Sequence, residues 1–279
     1  MQLLDFRPGQ VRVVREITEM EYGSYRTSAR HLRDFGRWRA IVAMVSANRD
    51  EFAQSLAEAA TKLESHQTLD EARKAIDFSL NRHLLNFLGA MRFFLDHTQT
   101  RLTRHYGDDS PPLRSFKARA AQAYDTEFAY RFTYKLRNYA QHCAMPIGHV
   151  QIETKGGGSG QRDRSLVLGF DIGELLEQGD EVWGAPLKAE LQALPVVLDV
   201  APLVDTVLAE LRAVSEAVEQ SERPLLIPLA EAIVSLGQPV VDAGGRPVVG
   251  VAKDNKLEIV RLPYDVLSWL ERAIPAVVV

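Results

Sequence analysis

The chain has 279 residues, 46% of them hydrophobic and 25% charged, with a net charge of −4. That composition excludes a disordered or collagen-like chain and suits one large or two small folded domains. A single cysteine, Cys143, excludes an internal disulfide and fits a reducing compartment.

Residues 9–18 follow Pro8 with partly alternating β-branched side chains, which predicts a short strand. A helical period begins near Ser24 and runs to about Leu63, with a candidate break at Ala47-Asn48. A second helix, about 69–105, opens after Thr68 as N-cap and buries Ile76, Leu80, Leu84, Phe87, Met91 and Leu95. Gly107 to Pro112 ends it. The third helical stretch is about 113–144, with Phe116, Ala120, Tyr124, Phe128, Phe132, Leu136, Tyr139 and Cys143 as one apolar stripe. Its place on that stripe makes Cys143 a packed thiol. Short connections between long helices imply an up-down bundle.

After Gly148 the period changes. Residues 149–154 and 165–170 predict a hairpin closed by Gly156 to Gly160. That run is no phosphate loop, because Lys155 precedes the glycines instead of following them. Helices are expected at about 186–194, 200–219 and 225–236, then a small β-meander over 239–262, a helix over about 263–273 and an apolar tail to Val279. The expected fold is mainly α: an up-down helical bundle with a smaller α+β C-terminal portion containing β-hairpins. Three regions follow, an N-terminal strand or extension over 1–23, the bundle over 24–147 and the mixed region over 148–279. No apolar stretch approaches the roughly 20 residues of a membrane span, and the charged N-terminus is no signal peptide. A cytoplasmic protein with no membrane partner is expected.

Charge is unevenly spread. Residues 1–147 hold 22 Lys and Arg against 17 Asp and Glu, while 148–279 hold 11 against 20. Arg26, Arg30, Arg33, Arg37 and Arg39 form one basic run, and Arg101, Arg104, Arg114, Lys117 and Arg119 another. Such runs attract polyanions or are solvated helix faces.

The most informative segment is Leu136-Arg137-Asn138-Tyr139-Ala140-Gln141-His142. Arg can grip a phosphate through its planar fork, and His can move a proton near neutral pH. Asn138 and His142 lie one turn apart opposite the stripe, so the amide could fix the imidazole tautomer. Arg137 and His142 are about 140° apart on the helix, too far round for both to close on one small group without a second surface. A structural pair near a helix C-terminus is the competing reading. The other histidines show no metal-ligand spacing, so no metal and no cofactor is expected.

With Asn86-Phe87-Leu88, Leu95-Asp96-His97-Thr98 and Tyr130 to Pro146 around it, this R-x4-H segment resembles the signature of HEPN domains, over about residues 25–147. The resemblance implies a metal-independent endoribonuclease cleaving by 2′-hydroxyl attack at a homodimeric site. Arg137 and His142 would be catalytic with Asn138 orienting them, and Gln141, Asp96 and His97 would bind substrate or support the site. It implies RNA as substrate, a role in stress response or phage defence, and an antitoxin or other protein as a further partner. The alternative is a non-catalytic HEPN-like module that binds nucleotide, RNA or protein.

Overall fold

A computed structural model describes residues 1–65, 68–156, 162–253 and 256–273. The chain is mainly helical with small antiparallel sheets. It opens with strands β1 (Gln2–Arg7) and β2 (Gln10–Glu16), followed by helices α1 (Glu19–Ser65), α2 (Leu69–Tyr106), α3 (Pro111–Thr126) and α4 (Phe128–His142). Strands β3 (His149–Gly156) and β4 (Arg162–Asp171) follow. Three short helices come next, α5 (Ile172–Gln178), α6 (Asp180–Trp183) and α7 (Ala185–Gln192), and then strand β5 (Val197–Asp199). Helix α8 (Val200–Val241), strands β6 (Pro247–Lys253) and β7 (Lys256–Arg261), and helix α9 (Tyr264–Ala273) complete it.

Contacts divide the chain into two compact units, one of residues 1–40 with 218–279 and one of 41–217. In the first, the strands form one sheet in the order β2-β1-β6-β7. Pro8-Gly9 closes the β1/β2 hairpin between Arg7 and Gln10, with Gly9 at φ 78°, where a type II turn wants glycine. The free edge of β1 pairs with β6, Leu3 opposite Val249. Backbone pairing therefore joins the N-terminal strands to the strands expected within 239–262 in one sheet. Leu3, Leu4, Val248 and Val249 are buried, and Trp269 of α9 lies 5.1 Å from Phe35 with the Arg39 guanidinium 4.7 Å over its ring.

The second unit carries the bundle. The Thr68 side chain accepts from the Glu71 amide while the Glu71 carboxylate accepts from the Thr68 amide, a capping box that starts α2 where the sequence places it. Helices α2, α3 and α4 pack against one another. Residues 41–65 of α1 are held to α2 by a Ser55–Ser79 hydroxyl contact of 2.9 Å, and to α8 by Arg49–Asp205 at 2.6 Å.

Four expectations about helices are corrected. The candidate break at Ala47-Asn48 is absent, since α1 runs from Glu19 to Ser65. The stretch 113–144 is two helices, broken at Glu127, which takes an extended conformation (φ −104°, ψ 111°). Arg131 stabilises the break: it donates to the orphaned Tyr124 carbonyl at 2.6 Å and grips Glu190 at 2.8 and 2.9 Å. The expected gap between 219 and 225 is absent. Helix α8 continues through Pro224, Pro228 and Pro239, because buried Val218, Leu226, Ala230 and Ile233 carry one apolar face across them. Helix α8 is also long and apolar enough to cross a membrane by length and composition, contrary to the sequence reading, which overlooked residues 224–241 with Glu231 as their one charge.

The hairpin after Gly148 is present as β3 and β4, His149 opposite Gly169. Residues 157–160 of the glycine run, and the tail 274–279, lie outside the described residues.

Candidate functional site

Helix α4 is positioned by aromatic stacking. The Trp183 ring lies 5.5 Å from both Phe132 and Tyr139, two turns apart on the buried face of α4, and the Trp183 indole N–H donates to the Leu175 carbonyl at 2.9 Å. Close contact extends to Gly179, where a Cβ would sit 2.5 Å from the Tyr139 ring. Off that buried face, the last two turns of α4 carry Arg137, Asn138, Gln141 and His142.

Gln141 and His142 are exposed, and Arg137 and Asn138 are partly exposed. The Arg137 Nη1 donates to the Asn138 Oδ1 at 3.5 Å. Among the described residues Asn138 makes no hydrogen bond to His142, so the expected amide–imidazole contact is replaced by one to Arg137. His142 is open to solvent. Cys143, expected inside, is exposed at the C-cap, since the helix ends there and the stripe ends with it.

Asp96 and His97 lie on α2. Asp96 is exposed and pairs with Arg92 at 2.8 Å, one turn back on its own helix. His97 rests its ring 5.6 Å from Phe93. Phe93 is 49% exposed and Asn86 is exposed, so that side of α2 faces solvent.

A cleft of about 440 Å³ opens between α2, α3 and α4, and sequence reasoning missed it. Arg92 and Asp96 of α2, Lys117 and Tyr124 of α3, and Tyr134 and Lys135 of α4 line it. The Arg92 Nη1 donates to the Tyr134 hydroxyl, and Tyr124 meets the Tyr134 ring edge-on at 5.8 Å. Burial opposes the Arg92 charge, but the Tyr134 hydroxyl and Asp96 outweigh it and hold the guanidinium protonated. Burial also pushes the Tyr130 hydroxyl far above the ordinary tyrosine range. A signal was available: Tyr134 lies off the apolar stripe, one turn before Asn138.

Part of each basic run is engaged within the fold. Arg33 donates to the Arg261 carbonyl at 2.7 Å, Arg37 pairs with Asp34, Arg39 with Glu219 and Arg119 with Glu210. Among the described residues no group of three or more His, Cys, Asp or Glu side chains is placed to hold a metal ion. No known family's sequence pattern matches the chain, and no curated protein and no solved structure matches it.

Proposed function

We propose that the chain is a metal-independent endoribonuclease of HEPN type, with its site on the last turn of α4. The observation that carries this reading is the exposure of His142 on the same outward face as Asn138, next to a partly exposed Arg137. A histidine filling space in the core would be walled by apolar side chains.

The chemistry follows from the residue types. His142 takes the proton of an RNA 2′-hydroxyl as its oxygen attacks the adjacent phosphorus. The P–O5′ bond then breaks, and the leaving 5′-oxygen takes a proton from the His142 of a second copy. Arg137 stabilises the charge that builds on the phosphoryl oxygens, and Asn138 orients Arg137 through the 3.5 Å contact. A homodimer is part of the proposal because one helix holds Arg137 and His142 about 140° apart. Support comes from α2, whose outward side carries Phe78 at 69% and Phe93 at 49% exposure. Gly89, on the same side, has nothing within 4 Å of the Cβ position, so a second backbone could approach closely there.

The test is cleavage of a labelled single-stranded RNA by purified protein in EDTA. Wild type is expected to cut, and His142→Ala and Arg137→Ala each to cut roughly 10²-fold more slowly. Equal cutting by wild type and His142→Ala, or activity restored only by a divalent ion, overturns the reading.

A further inference from the structure

The cleft between α2, α3 and α4 has the lining of a nucleic-acid subsite. Its cations are Arg92, Lys117 and Lys135, against Asp96 as the one carboxylate. Asp96 pairs with Arg92, so Lys117 and Lys135 remain without an ion pair among the described residues. Two unneutralised ammonium groups at one opening favour an anion. Tyr124 and Tyr134 line the same cleft, and the Arg92 guanidinium, 5.3 Å from the centre of the Tyr134 ring and bonded to its hydroxyl, holds that ring in place. Cations beside ordered aromatic rings form the combination that binds single strands, the cations following phosphates and the rings stacking bases of any identity. The volume of about 440 Å³ is within the range of small-ligand sites and suits one nucleotide.

Position ties the cleft to the proposed cutting site. Tyr134, Asn138 and His142 recur every four residues on one face of α4. Tyr134 and His142 are therefore separated by about 12 Å along the axis, the reach of a short extended strand.

We propose that this cleft is a flanking subsite: it receives one nucleotide of single-stranded RNA a short distance along the strand from the phosphate held at Arg137 and His142. The phosphate faces Lys117 and Lys135, and the base packs on Tyr124 and Tyr134. The inference rests on the reading of α4 as an RNA-directed site.

The experiment measures binding of a fluorescent 2′-O-methyl oligonucleotide, which lacks the attacking hydroxyl and is not cut, by anisotropy across a range of salt. Lys117 is exposed and Lys135 partly exposed. The double variant Lys117→Ala/Lys135→Ala is therefore expected to fold as wild type, checked by thermal melting. It is expected to bind with a salt slope shallower by about one phosphate contact or more. Tyr134→Leu, which keeps an apolar side chain but removes the ring, is expected to bind at least about fivefold more weakly. Unchanged affinity and slope in the lysine variant, or no binding by wild type, overturns the subsite. Lysine-dependent binding by a protein that fails to cut ordinary RNA upholds the subsite and removes the cleavage proposal. His142-dependent cutting with lysine-independent binding removes the subsite alone.

Discussion

Asn81 and Ile147 exchange two hydrogen bonds, the Asn81 amide donating to the Ile147 carbonyl at 3.0 Å and its Oδ1 accepting from the Ile147 N–H at 3.0 Å. One buried side chain on α2 thus satisfies both backbone groups of a residue five positions past His142, and pins the chain as it leaves the proposed site. Asn81→Leu would leave both groups buried without partners, at a cost of about 2 kcal/mol or more. Thermal denaturation is expected to show a melting temperature lowered by about 4 °C or more.

Arg131 makes the α3–α4 break and ties it to α7 through Glu190. Arg131→Met removes both the carbonyl cap and the fork, and is expected to destabilise by about 1–3 kcal/mol in denaturant unfolding. Arg131→Lys keeps the charge but cannot reproduce two parallel donors, so it is expected to recover only part of the loss.

That break also shows where sequence reading stops. Local signals were legible: Thr68 as N-cap announced α2, and the change of period after Gly148 announced β3 and β4. The partial exposure of Asn138 and the exposure of His142 agree with their expected place opposite the stripe, because a 3.6-residue period fixes relative angles. The break at Glu127 was hidden because the apolar spacing runs through it, and the interaction that stabilises it comes from Glu190, 59 residues beyond Arg131. Pairing of β1 with β6 was hidden for the same reason, since nothing near Leu3 encodes Val249 as its partner. The cleft needed three helices at once, so no single period could reveal it.

Burial pushes the Tyr139 hydroxyl up to about 12 from its ordinary value near 10. The folded state holds that proton more tightly than the unfolded chain. The stability it contributes is complete below about pH 10 and is lost as pH rises towards about 12. Urea midpoints measured across this window are expected to fall more steeply for wild type than for Tyr139→Phe, which has no proton to lose.

Phe93 is 49% exposed on the outward side of α2, the side proposed to meet a second copy. Light scattering at micromolar concentration is expected to give a dimer for wild type and a monomer for Phe93→Asp, with RNA cutting lost alongside the dimer. A wild-type monomer that still cuts would contradict the two-copy arrangement.

The central claim is that His142 draws the proton from an RNA 2′-hydroxyl, and the ends of the products report on it most directly. Mass spectrometry of the fragments from a defined RNA is expected to show a 2′,3′-cyclic phosphate on one side of the cut and a 5′-hydroxyl on the other. A single deoxy substitution at the cut nucleotide should abolish that cut. Cleavage of the substituted strand, or fragments ending in a 5′-phosphate, would contradict the account.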